Sequence, residues 1–142
     1  MPGSMSGAGA GALKLIEEIR ELKSQISELK EKMAGSILWE NPDPTKAFVA
    51  QTITLSSAEY DYFDIMFKGS SGDSIMITHR GYKGYNMQID RVGTTGRPTR
   101  TISYISDTQY AISKCTIYDF TSGTSADNNS NNIPVKIIGY KL

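Results

Sequence analysis

The chain has 142 residues, with 15 basic and 15 acidic side chains and a formal net charge of zero. This length suits one globular domain and a short additional segment. A neutral chain favours neither nucleic acid nor an anionic membrane as a partner, and no apolar run approaches the ~18 residues of a membrane span. With Cys115 as the only cysteine and His79 as the only histidine, an intrachain disulfide and a cysteine-based zinc site are excluded, and we expect no metal and no cofactor.

Residues 1–11 are predicted to lie outside the folded part of the protein. Met1 to Ser4 precede a second methionine, Met5, and look like a cloning scar. The run from Gly7 to Gly11 alternates Gly and Ala, which predicts a flexible lead-in. The basic start and hydrophobic middle of a signal peptide are missing, so we do not expect Sec export.

Residues 12–35 are predicted to form a coiled-coil stalk. Apolar side chains recur at spacings of 3 and 4, at Ala12, Leu15, Ile19, Leu22, Ile26, Leu29 and Met33. Such a stripe is too narrow for a helix of a globular core and is typical of an oligomerisation seam. Gly35 is the residue expected just beyond the helix. Ile at a with Leu at d favours two strands, whereas Ile16 at an e position widens the stripe and favours three. The alternative is a single amphipathic helix packed on the rest of the chain.

Residues 36–142 are predicted to form a mainly β head, an antiparallel β-sandwich of jelly-roll-like type. Pro42 and Pro44 lie in a turn that redirects the chain after the stalk. Alternating apolar residues predict strands at 48–55, 60–68, 74–79, 82–92, 99–105, 109–120 and 133–141. Val49 is expected to face the core in the first of them, and Tyr85, Met87 and Ile89 in the fourth. Many short strands joined by Gly-, Ser- and Asp-rich turns are typical of sandwiches and jelly rolls.

The strand at 109–120 changes its apolar phase halfway. Tyr110 and Ile112 share one phase, and Cys115 and Ile117 share the other. This shift predicts a β-bulge near residues 113–114, with Cys115 as a small buried hydrophobic side chain.

The last predicted strand is apolar on both faces. Val135 and Ile137 lie on one face, and Ile138 and Tyr140 lie on the other. One face can fill the core of the head, so the other is free to contact a neighbouring subunit.

Residues 79–85 form the first candidate ligand site, because they concentrate cations and aromatic side chains around two glycines. Aromatic faces stack on sugar rings, and Arg and Lys bind phosphate or carboxylate groups. With polar residues expected on the same face and two further arginines, the predicted site comprises His79, Arg80, Tyr82, Lys83, Asn86, Gln88, Arg97 and Arg100. The alternative is a hairpin turn with Tyr85 in the core and solvated charges. A second candidate is the polar, Asn-rich segment 122–132, for which a disordered loop is the favoured interpretation.

Enzyme signatures are missing from the sequence, which contains no P-loop, Rossmann, zincin or nucleophile-elbow motif. A pair of carboxylates would suffice for glycan hydrolysis, and the candidate residues are Asp61, Asp64, Asp90, Asp107 and Asp119. Because aspartates are common at turns of β domains, we expect a protein that is not an enzyme.

Three blocks of the head resemble a known group of proteins. They are residues 37–42 (ILWENP) followed by 48–55 (FVAQTITL), the Tyr-Asp-Tyr run at 60–62, and the ending 133–141 (IPVKIIGYK). Together they resemble the C-terminal head domains of tail fibre and receptor-binding proteins from siphophages of Gram-positive bacteria. The resemblance covers the head and not the stalk.

This resemblance implies a homotrimer at the phage tail tip that recognises a bacterial surface polysaccharide or teichoic acid, beside other tail proteins. A coiled-coil neck before a β head suits that plan, and a dimer is the alternative assembly. The competing expectation is a structural tail-fibre or baseplate component that only trimerises or caps a fibre. A glycan hydrolase ranks third.

Overall fold

A computed structural model describes residues 7–142, so the predicted cloning scar lies outside the described residues. The chain divides after Ala34 into two compact units, which places Gly35 with the head. Within residues 7–142, no helix combines the length and the apolar character needed to cross a membrane.

The first unit contains one helix, α1 (Gly7–Ala34). It begins five residues before the predicted start at Ala12, so the prediction of a flexible segment from Gly7 to Gly11 is wrong. The alanines in this run are strong helix formers, and adding a residue to an existing helix costs far less than nucleating one. The seam side chains of α1 are all exposed in the single chain, from 43% at Ile19 to 78% at Met33.

The second unit contains ten strands within the part of the chain that the structure describes. They are β1 (Ser36–Glu40), β2 (Gln51–Thr54), β3 (Tyr62–Ser70), β4 (Met76–Tyr82), β5 (Met87–Asp90), β6 (Gly96–Ser106), β7 (Gln109–Ile112), β8 (Thr116–Asp119), β9 (Ser125–Asp127) and β10 (Asn131–Tyr140). The prediction of a mainly β head behind one N-terminal helix is therefore confirmed. Sequence analysis missed β1 and β9, since each is short and lacks clear alternation.

The strands form two antiparallel sheets. Sheet A has the order β1-β10-β3-β4, and sheet B has the order β2-β7-β6-β8-β9 with β5 also paired to β6. The inward side chains of both sheets belong to one hydrophobic cluster, in which Phe63 of β3 meets Tyr110 of β7 edge to face with ring centroids 5.4 Å apart. The alternation at Phe63, Ile65 and Phe67 predicted from the sequence is confirmed, because all three are buried.

The predicted bulge is present between β7 and β8, which both pair with β6. Ile112 pairs with Ile102, and Thr116 pairs with Thr99, so residues 113–115 oppose only residues 100–101. The extra residue moves Cys115 into the core, where it is fully buried. Burial raises the pKa of its thiol, as expected for a packing residue rather than a nucleophile.

The predicted strand at 82–92 is wrong in its first half. Strand β4 continues to Tyr82, a turn follows with Gly84 at φ 88°, and β5 begins only at Met87. Tyr85 lies in this connection and is 71% exposed instead of filling the core. Met87 and Ile89 do lie on the inward side of β5, as predicted, but Tyr85 precedes this strand and lies in the turn, where side chains do not alternate between two faces.

Two further expectations about the head fail. Val49 precedes β2 and is 59% exposed, because the strand begins only at Gln51. The Asn-rich segment 122–132 is ordered: it contains β9, and Asn132 is fully buried with φ 46°. Asparagine tolerates this left-handed conformation better than most residues, and its side chain donates to the carbonyl oxygens of Ile89 and Pro98.

Candidate functional site

The eight predicted ligand residues do not form one site. Arg80 and Tyr82 lie on the outer face of sheet A, whereas Gln88 and Arg97 lie on the outer face of sheet B. The connection between β4 and β5 crosses from one sheet to the other, so ligand residues that are close in sequence lie on different faces of the head.

Three of the predicted residues are engaged in holding the head together. The His79 ring packs edge to face on Phe67 with centroids 5.0 Å apart. Lys83 donates from Nζ to the Ala58 carbonyl oxygen at 2.7 Å. Asn86 accepts from the Tyr104 amide at 2.8 Å. These contacts tie the three side chains to neighbouring parts of the head.

Arg100 is wrong as a ligand residue, because its side chain is fully buried. Its guanidinium donates to the carbonyl oxygens of Ser113, Asn129 and Asn131 at 2.9 to 3.2 Å. Burial lowers the pKa of this group. The strand pattern contained the signal, since Arg100 is in phase with the core residue Ile102 and therefore points inward.

A shallow groove of about 500 Å³ lies on the outer face of sheet B. It is built from β5, β6, β8 and β9 and the residue just after β8. We call it the sheet B groove, and it is lined by Gln88, Arg97, Thr99, Thr116, Tyr118, Phe120 and Ser125. Two predicted ligand residues, Gln88 and Arg97, therefore do share a concave surface.

Two aromatic side chains provide the apolar part of the sheet B groove. Tyr118 and Phe120 are each 46% exposed, and their rings meet edge to face with centroids 6.0 Å apart. Asp119 between them accepts from the amides of Thr121 and Ser122, which lowers the pKa of its carboxyl group and fixes the turn after β8. These hydrogen bonds hold the end of β8 that carries the two rings, and a preformed site requires such a fixed backbone.

The polar part of the sheet B groove consists of hydroxyl, amide and guanidinium groups on the paired strands. Thr99 pairs with Thr116, and Arg97 pairs with Tyr118, so hydroxyls and an aromatic ring adjoin on the same face. The Arg97 guanidinium forms an ion pair with Asp90 of β5. A groove that combines exposed rings with hydroxyl donors and acceptors suits a polyhydroxylated ligand.

Sequence analysis missed Tyr118 and Phe120. The inward phase predicted for Cys115 and Ile117 already implies an outward Tyr118. What remained hidden was the antiparallel pairing of β8 with β6, because it alone brings Tyr118 beside Arg97.

A second surface, the tyrosine face, lies on the outer side of sheet A. Tyr140, Tyr62 and Tyr82 pair in register across β10, β3 and β4, and Ile138, Asp64 and Arg80 form the next outward row. The tyrosine face comprises these six residues and Ile37 of β1, which pairs with Ile138. The rings of Tyr62 and Tyr140 stack with centroids 5.1 Å apart and an interplanar angle of 14°.

No family model, curated protein or solved structure matches this chain. Within residues 7–142, no three His, Cys, Asp or Glu side chains are grouped so that they would hold a metal ion. The site must therefore be interpreted from its own chemistry.

Proposed function

We propose that this protein is an adhesion module of a phage tail, located at the tail tip of the virion, that recognises a polysaccharide or teichoic acid of the bacterial surface. The observation that carries the proposal is the sheet B groove, where Tyr118 and Phe120 adjoin the polar groups of Arg97, Thr99 and Thr116. The resemblance of the head to siphophage receptor-binding proteins points the same way.

The proposed assembly is a parallel homotrimer formed through α1, with a dimer as the alternative. The seam residues Leu15, Ile19, Leu22, Ile26, Leu29 and Met33 are exposed in the single chain, although a helix of this kind gains most of its stability from packing an apolar face. The two sheets that share one core suit a β-sandwich of jelly-roll-like type. Several heads on one stalk would multiply a weak affinity for a repetitive polymer.

A glycan hydrolase is less well supported, because the candidate carboxylates are engaged elsewhere. Asp64 pairs with Arg80, Asp90 pairs with Arg97, and Asp107 lies near Lys83. The pKa of Asp107 is lowered, chiefly by the hydrogen bond from the Tyr104 hydroxyl. A glycosidase needs one carboxyl group with a raised pKa as its general acid.

The experiment that tests the proposal is retention of the protein on purified cell walls. We expect selective retention on walls of the host, and release by either a neutral wall polysaccharide or a teichoic acid identifies the ligand. Replacing Tyr118 with Ala should weaken retention by about 1 to 3 kcal/mol per head, the range of a truncated binding anchor.

Tyr85→Ala is the matched control, because Tyr85 is an exposed tyrosine that lies outside the sheet B groove. Equal binding by the wild type and Tyr118→Ala would exclude the groove as the site. Absence of retention on any wall would favour the structural tail-fibre or baseplate role, and release of saccharide would identify a hydrolase.

A further inference from the structure

We infer that the tyrosine face is the surface through which the heads of neighbouring copies of this chain contact one another. This inference rests on the proposed parallel assembly of α1 but not on any ligand of the sheet B groove. It concerns a part of the head that the proposed adhesion does not use.

The central ring of the tyrosine face, Tyr62, is poorly placed for stacking on a sugar. Tyr140 covers Tyr62 from the β10 side, and the Arg80 guanidinium lies 4.6 Å from the Tyr62 ring centroid on the β4 side. Because β10 and β4 flank β3 on opposite sides, both faces of the central ring are occupied. The tyrosine face combines three tyrosines and two isoleucines with an arginine, which are residue types favoured at the centres of protein–protein interfaces or neutral there.

The charges of the tyrosine face suit contact with a second copy. Arg80 and Asp64 form an ion pair within one chain, with Nε and Oδ1 3.0 Å apart. In the next outward row Glu40 pairs in register with Lys136, again with opposite signs. Close to the axis of a parallel dimer or trimer, equivalent residues of neighbouring copies approach one another, so charges that are already compensated locally reduce the repulsion between like groups.

Only Gly35 separates the last residue of α1 from β1, the edge strand that carries Ile37 of the tyrosine face. Gly35, which follows the last residue of α1, has φ 71°, and a Cβ there would lie 2.7 Å from both Ile138 Cγ2 and Tyr140 Cε1. In a parallel coil the helix axes lie about 8 to 10 Å apart. The covalent link then keeps Gly35 and Ile37 of each copy within reach of those of its neighbours, and Ile138 and Tyr140 lie beside these two residues in the head.

The tyrosine face has exposed hydrophobic side chains at both of its ends. Ile37 is 53% exposed and Tyr82 is 57% exposed, at the two ends of the face. The occupant that satisfies chain continuity, charge and ring geometry together is a second copy of this head.

Protection of an introduced thiol in the full-length chain tests this inference. The native Cys115 is fully buried, so a maleimide probe reports the new site. We expect Tyr82→Cys to react at least tenfold more slowly than Ile105→Cys, a control on β6 of sheet B with 51% exposure of the native side chain. In a Leu22→Lys background, which charges the seam, the two rates should become equal.

A second pair of variants measures assembly itself. Ile37→Lys should raise the dissociation constant in a sedimentation dilution series at least tenfold, while Ile105→Lys, a replacement of the same residue type at similar exposure, should not change it. This pair also covers the case in which Tyr82→Cys fails to fold.

Two results would overturn the inference. The first is an oligomer in which Tyr82→Cys reacts as fast as Ile105→Cys and Ile37→Lys assembles normally, which would show assembly by the helices alone. The second is a wild-type chain that sediments as a monomer, which would remove the assembly while leaving cell-wall binding to be judged by its own experiment.

Discussion

Replacement of the buried Arg100 by Met should destabilise the head by about 3 kcal/mol. The guanidinium makes four hydrogen bonds to three carbonyl oxygens and lies 5.4 Å from the ring centroid of Phe48. Methionine has a similar length but no donor, so the carbonyl oxygens of Ser113 and Asn131 lose the guanidinium at about 1 to 3 kcal/mol each, while that of Asn129 keeps the Phe48 amide as a donor. Removal of the buried charge offsets part of this loss of unfolding free energy, because a desolvated cation is itself unfavourable.

Urea unfolding followed by Trp39 fluorescence is the appropriate assay. Trp39 is the only tryptophan and packs edge to face on Phe48, with centroids 6.0 Å apart, so its emission reports the region around Arg100. With an m-value of about 1 to 3 kcal/mol per M, the midpoint should fall by at least about 1 M at equal protein concentration. Arg97→Met is the control: the Arg97 side chain is 50% exposed in its ion pair, and we expect a loss below about 1 kcal/mol. A loss below about 1 kcal/mol for Arg100→Met as well would refute the reasoning that these carbonyls depend on the guanidinium.

Three further predictions concern the core and its hydrogen bonds. Gly81→Ala should lower the free energy of unfolding in urea by about 1 to 3 kcal/mol, because a Cβ there would lie 2.5 Å from Met87 Sδ. Gly84→Ala, which has open space around it but φ 88°, should lower it by about 1 kcal/mol. A larger loss for Gly84→Ala than for Gly81→Ala would contradict the packing argument. Burial raises the pKa of the Tyr60 hydroxyl. The stability that depends on the neutral hydroxyl is therefore complete below the unfolded pKa of about 10, and above it the free energy of unfolding falls by about 1.4 kcal/mol per pH unit. Unfolding free energies measured from about pH 9 to 11 should show a smaller decrease in Tyr60→Phe than in the wild type, and equal slopes would argue against this assignment. Asn132→Asp should lose more than about 3 kcal/mol at neutral pH, since it replaces a buried donor by a buried carboxylate; a thermal melt unchanged from the wild type would show that the donor is dispensable.

The sequence predicted those parts of the head in which one face of a strand is uniformly apolar. Phe63, Ile65 and Phe67 specify β3 without reference to any partner strand, and the phase shift at Cys115 specifies the bulge. Alternation failed at Tyr85, because this residue lies in the turn between Tyr82 and Met87 and not on a strand.

The candidate site was less predictable, because it depends on pairing between distant strands. The sequence predicts Arg97 as a ligand residue, but Tyr118 lies beside it only because β6 and β8 pair in this register. The charge of Arg100 suggested a ligand residue, although its phase, shared with Ile102, predicts a side chain inside the core. A charged residue in an apolar phase should therefore be examined first as a buried donor to the main chain.

The connection through β1 has a mechanical consequence. Strand β1 lies at the edge of sheet A, pairs only with β10, and is the first head element that tension transmitted along α1 reaches. Its anchorage is completed by Leu38, which is 3% exposed and would clash with any side chain added at Gly139. We expect a pulling force on α1 to detach β1 before the rest of the head yields, so this short strand would set the mechanical strength of the link between helix and head.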